Sequence, residues 1–150
     1  MASVYDVAQY ILEQAPGKKM SAIKLQKLVY YCQAWHLAWE GYPLFDEEIQ
    51  AWANGPVVPA LYERHRGQLE VSADQHIGDA ASLTADEARD VDDILPAYMD
   101  KKPFWLVELT HLERPWREAR GDCPPGNVCT NPISLASMAE YYSGLAQSNG

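Results

Sequence analysis

Residues 24–63, KLQKLVYYCQAWHLAWEGYPLFDEEIQAWANGPVVPALYE, decide how the rest of the chain is read. Ile23, Leu25, Leu28, Val29, Cys32, Trp35 and Trp39 recur at helical spacing. Tyr30, Tyr31, Ala34, Leu37 and Ala38 fill much of the remaining surface. A helix apolar on nearly every side belongs inside a fold. The pattern predicts a central buried helix over 21–40, capped by Gly41 and followed by a Tyr42-Pro43 turn. Lys18, Lys19, Lys24 and Lys27 gather near its start, where cations oppose the helix dipole. They read either as solvated side chains or as a basic rim facing an acidic segment or partner.

After the turn, Ile49, Ala51 and Ala53 alternate with Glu48, Gln50 and Trp52, which predicts at most a small extended or β element near 45–53. Asn54-Gly55-Pro56 is a turn, and Pro59 suits the first turn of a helix over about 58–66.

Working outward, Ser3 with Asp6 resembles a capping box and opens a first helix carrying Val4, Val7, Ala8, Ile11 and Leu12. Pro16-Gly17 ends it. Residues 67–83 are polar and irregular, with Val71 and Ile77 as brief extended contacts. Thr84 and Glu87 form a second capping box, for a helix reaching about Met99 and kinked or stopped early by Pro96. Further helices are expected from Phe104 to about Thr110, from Pro115 to Arg120, and from 131–134 through Tyr142. The expected fold is mainly α. It is one compact domain over 1–145, of about five to seven helices around the central one, with a frayed tail at 146–150.

A chain of 150 residues can bury one real core. Its formal charge of −9 argues against a general phosphate-backbone binder, so no direct DNA binding is expected. Between Glu70 and Asp93 eight acidic residues accompany one base, Arg89. That segment reads as a solvated face or as a contact surface for a cationic partner. No run approaches the length of a membrane span, and the first residues lack the pattern of a signal peptide. The expected location is cytoplasmic, with Cys123 and Cys129 reduced and Cys32 a buried small hydrophobe.

The residues able to serve catalysis or metal binding are His36, His65, His76 and His111 and the three cysteines. No HExxH, paired-cysteine zinc pattern, GxSxG or phosphate loop is present. The expectation is no enzyme activity, no catalytic residue, no metal and no cofactor. Two aromatic clusters remain. The first is Trp52, Asn54, Gly55, Pro56, Val57 and Pro59, either a rigid turn or the preformed edge of a groove. The second is Thr110, His111, Pro115 and Trp116. It reads as helix capping and packing, or as a pocket in which His111 and Trp116 meet Trp35 or Trp52. The candidate contact surface joins Trp52, Asn54, Gly55, Pro56 and Val57 with Tyr62, Arg66, Thr110, His111, Pro115 and Trp116. Trp, Tyr and Arg are the usual interface anchors.

The succession KLQKLVYYCQAWHLA (24–38), PLFDEEIQAWANGPVVPALYE (43–63) and LTHLERPWREAR (109–120) resembles the SocA-like antitoxin family, the Panacea domain, which includes phage-associated GepA-like proteins. The resemblance runs from about Val4 to Tyr142. It implies an antitoxin of a toxin–antitoxin system that neutralises a cognate toxin, typically encoded by an adjacent gene, through direct protein–protein contact. It implies a second route as well, an adaptor that delivers the toxin to a ClpXP-type protease. Enzymatic reversal of a toxin's modification, using His111, is a third and more distant reading.

Overall fold

In the computed structural model residues 1–149 are described; Gly150, the end of the expected frayed tail, lies outside them. Seven α-helices occur among the described residues: α1 (Val4–Gln14), α2 (Ala22–Glu40), α3 (Pro59–His65), α4 (Ala85–Ile94), α5 (Pro103–Leu112), α6 (Arg114–Arg120) and α7 (Leu135–Asn149). Four three-residue strands form two antiparallel ladders. In one, β1 (Lys19–Ser21) pairs with β4 (Glu70–Ser72). In the other, β2 (Gln50–Trp52) pairs with β3 (Gly55–Val57).

The helix starts follow local chemistry. The Ser3 hydroxyl accepts from the Asp6 amide while the Asp6 carboxylate accepts from the Ser3 amide, and Thr84 and Glu87 repeat the exchange at α4. Each pair satisfies two of the donors that a helix N-terminus leaves unpaired. Ser21 caps α2 by accepting from the Lys24 amide. Gly41 ends it at φ +81°, a conformation that costs glycine little.

α2 is the axis of the fold. Leu25, Leu28, Val29, Tyr31, Cys32 and Ala34 are fully buried on it, and α7 packs along its length with α1, α4 and α5 around it. Ile23 and Trp39, expected in the buried stripe, lie exposed near its two ends. Burial forces its polar side chains to find partners. Gln33 accepts from the Leu44 and Phe45 amides and donates to the Phe45 carbonyl, which fixes the chain after the turn. Tyr31 and Tyr142 both donate to one Glu113 oxygen, at 2.6 and 2.8 Å, joining α2, α7 and the α5–α6 corner. His36 Nδ1 lies 2.8 Å from the Asp90 carboxylate of α4.

Asp90 and the capping Glu87 therefore turn inward, while Asp74, Asp79, Asp86, Asp92 and Asp93 stay exposed. The basic rim meets the acidic segment at one point, an exposed Lys19–Glu70 pair at 3.8 Å. Such a pair contributes little.

Several boundaries differ from expectation for physical reasons. β1 has no sequence signal of its own and exists because β4, centred on Val71, supplies its partner. Pro96 stops α4 at Ile94, and the chain continues as a 3-10 turn over Leu95–Ala97. The last helix runs to Asn149, well past Tyr142. Cys123 and Cys129 are paired as a disulfide across the Pro/Gly loop, where reduced thiols were expected. Cys32 is free and buried, and burial pushes its thiol pKa up.

Gly78 crosses directly over α1. A Cβ there would overlap the Tyr5 carbonyl, and backbone inside a helix cannot swing aside. Gly78→Ala should lower stability by about 1–3 kcal/mol or more, read as a lower urea midpoint with an unchanged slope.

Candidate partner-binding cleft

A cleft of about 580 Å³ opens between the start of α2, the β2–β3 hairpin, α3 with the segment after it, and the disulfide-closed loop. Its lining comes from Ile23, Gln26 and Lys27 of α2, Trp52, Asn54 and Val57 of the hairpin, Tyr62 and His65 of α3, Leu69, and Val128 with Cys129.

The hairpin turns at Ala53-Asn54, and its register pairs Trp52 with Gly55. Gly55 sits at φ +113°. A Cβ there would lie 2.6 Å from Lys27 Cε and 2.8 Å from Thr110 Oγ1. Glycine is thus required twice, for the conformation and for the close approach of the hairpin to α2 and α5. Val58, just beyond β3, is clamped by Gln26: its amide donates to Gln26 Oε1 at 2.9 Å and its carbonyl accepts from Gln26 Nε2 at 3.3 Å.

That clamp has an electrostatic consequence. Because the Val58 amide must face oxygen, Gln26 Nε2 is the group 2.9 Å from His65 Nε2. His65 accepts that bond and is neutral on that nitrogen. Burial, the largest cause, also holds its pKa below the usual imidazole value, and the Lys27 amine acts in the same direction.

Lys27 is the least expected group in the site. It is 1% exposed, and its ammonium donates to the Pro56 carbonyl at 3.1 Å. Burial alone brings its pKa down to about 7. A perturbed titratable group in a cleft marks a functional site more often than a random position does.

The second aromatic cluster braces the hairpin from the side away from the cleft. His111 stacks on Trp116 at 4.0 Å between ring centroids, and Trp116 Nε1 donates to the Trp52 carbonyl at 2.8 Å. Arg120 donates to the Ala51 carbonyl. Burial lowers the His111 pKa, against the opposing pull of Glu108 and the Ala53 backbone.

Of the sequence-derived candidates, Trp52, Asn54, Val57 and Tyr62 line the cleft, with the Trp52 and Tyr62 rings edge to face at 5.1 Å. Gly55 and Pro56 are buried beneath it. Thr110 is buried and donates to the Val107 carbonyl within α5, and Pro115 is buried at the start of α6. Trp116 donates to the Trp52 carbonyl and stacks on His111, and neither His111 nor Trp116 lines the cleft. Trp35 instead donates to the Tyr98 hydroxyl. Arg66 is exposed beside Glu63 and does not line the cleft. Lys27, Gln26, His65, Leu69 and Val128 were not singled out as site residues. A lysine and a glutamine inside an otherwise apolar helix were the available signal for the first two.

The fold is mainly α and carries a preformed cleft. Residues 25–117 match the model of the family described as antitoxin SocA-like, Panacea domain. The chain belongs to that family, and its antitoxin character follows at that level. No curated protein and no solved structure matches it. The matched span contains α3, the hairpin and nearly all of α2; the disulfide-closed loop lies beyond it. Among the described residues no group of three or more His, Cys, Asp or Glu side chains could hold a metal ion. Among the described residues no helix is long and apolar enough to cross a membrane.

Two predictions follow from the buried amine. Lys27→Met should stabilise the fold by on the order of 1–4 kcal/mol at pH 7, because it removes a charge that burial penalises. The sign of the pH dependence follows from linkage. Between the folded value of about 7 and the unfolded value of 10.5 the unfolded chain holds a proton that the folded chain lacks, so raising pH stabilises the wild type there. The advantage of Lys27→Met should accordingly shrink from pH 7 to 10, read by urea denaturation of both proteins. Gly55→Ala should instead cost about 1–3 kcal/mol by strain and overlap, with the loss visible in the same titration.

Proposed function

We propose that the protein is an antitoxin that neutralises a cognate toxin by binding it directly, with the cleft as the contact face. The observation that carries this reading is the apolar rim. Leu69 is 92% exposed, Val128 91% and Ile23 49%, and all three line the same concavity as Trp52 and Tyr62. Exposed apolar groups gathered around a preformed hollow are the usual mark of a protein-binding surface. The rigid hairpin supports it, since a braced aromatic edge loses little entropy on docking.

The toxin is the product of an adjacent gene. Neutralisation is stoichiometric and non-enzymatic. His111, the residue for an enzymatic alternative, is stacked beneath the hairpin and does not line the cleft.

The test is co-expression with the protein encoded beside this one. Wild type should restore growth and co-purify with it, and should do so equally in a host lacking ClpXP. Leu69→Glu with Val128→Glu alters two exposed side chains, so the fold should persist while affinity falls by on the order of a hundredfold. Undiminished rescue by that double variant would remove the cleft from the interface. Rescue that disappears without the protease would replace direct neutralisation with delivery for degradation.

A further inference from the structure

Most buried polar groups of α2 have partners inside the fold; His36 Nε2 has none, and Lys27 Nζ is only partly satisfied. Gln26 is held by Val58 and His65, Gln33 by Leu44 and Phe45, and Tyr31 by Glu113. Lys27 has three donor positions and one acceptor, the Pro56 carbonyl. Among the described residues no carboxylate makes an ion pair with it. Yet the residue lines the cleft. An amine taken out of water without a counter-ion carries a desolvation cost that a carboxylate brought in through the cleft would offset.

We propose that the cleft is a site for a small apolar monocarboxylate, whose carboxylate pairs with Lys27 Nζ and whose ring or chain lies against Trp52, Val57, Tyr62 and Val128.

The chemistry narrows the ligand class. The cleft volume lies within the usual range for small-molecule sites. Its walls are mainly aliphatic and aromatic, which excludes sugars and other heavily hydroxylated compounds. One cation suits one negative charge. The titratable groups that face Lys27 from its surroundings are His65 of α3 and His111 of α5. Both are held below the ordinary imidazole pKa, so neither offers a second positive charge to a phosphate. The hairpin residues Trp52–Val57 and the loop residues 126–130 contribute no charge. On α2 itself Lys24 turns away and donates to the Met99 carbonyl. A carboxylate arriving beside Lys27 would favour its charged form and draw its pKa upward.

The site shares the cleft with the proposed toxin contact, but it does not depend on the partner being a toxin. The experiment uses the full chain alone, so its failure leaves the co-expression result standing, and the reverse. Calorimetric titration at pH 7 compares 3-phenylpropionate, indole-3-acetate and octanoate with the matching primary amides. At least one acid should bind with Kd below about 1 mM, and its amide should bind on the order of tenfold more weakly. Lys27→Met should abolish the difference. In the wild type, the Lys27 side-chain resonance, followed through pH by NMR, should titrate at least one unit higher when the site is saturated. That second reading holds even where the variant repacks. Equal affinity for acid and amide, no binding by any acid, or an unmoved Lys27 titration would each overturn the proposal.

Discussion

Everything else in the structure answers to one constraint: α2 is buried on all sides and still carries polar groups. A helix satisfies its own backbone, but burial leaves its side-chain donors and acceptors to be satisfied by whatever packs against it. Each surrounding segment is held by one of those demands. Gln33 fixes the chain at Leu44-Phe45, Gln26 fixes the exit from the hairpin at Val58, His36 draws in Asp90 of α4, and Tyr31 draws in Glu113 at the α5–α6 corner. Apolar contact supplies most of the stability and is non-directional. The polar contacts supply direction. They explain how short strands and loops with weak preferences of their own take up one arrangement around the axis.

The helices were largely legible because their signals are local. Ser3 with Asp6, Thr84 with Glu87, and Gly41 act within one turn, so reading the residues was enough. The strands were legible only as weak extended signals: the alternation near 45–53 covers β2 and Val71 lies in β4, but the pairing could not be read. β1 and β4 are three residues each and stand about fifty positions apart, and neither is long enough to show alternation. The site was legible in part for the same reason. Trp52, Asn54, Val57 and Tyr62 belong to one aromatic turn and its neighbouring helix. Lys27 and Lys24 look alike in sequence, three residues apart near a helix start. Only the packing separates them: Lys24 reaches the Met99 carbonyl, whereas Lys27 is shut beneath the hairpin.

The two aromatic clusters, fifty residues apart, turn out to be two sides of one object. The hairpin presents Trp52 and Val57 to the cleft, and its carbonyls at Trp52 and Ala51 accept from Trp116 and Arg120 on the other side. Trp116 is in turn stacked on His111. An isolated three-residue hairpin would not hold its shape in water. Here its shape is imposed from behind by α6 and from below by Lys27 and Thr110, which close on Gly55. The 110–116 cluster thus bears on binding through rigidity rather than through contact. That places its aromatic residues in a supporting role and leaves the cleft face to the hairpin and α3.

Lys27 fits this scheme awkwardly, and the awkwardness is informative. The Pro56 carbonyl it engages could have been left to water or bridged by a hydroxyl at far smaller cost than a buried amine. A methionine would fill the same volume beneath Gly55 without the penalty of desolvating a charge. If the residue served only to support the hairpin, the support would come at the expense of the fold it supports. Perturbed titratable groups of this kind cluster at functional sites. The cost also lies where a ligand could repay it, beside a cavity whose walls are mainly apolar and whose neighbouring imidazoles have lowered pKa values. The same amine that weakens the empty protein is the one group in the cleft able to distinguish a charged ligand from a neutral one of the same shape.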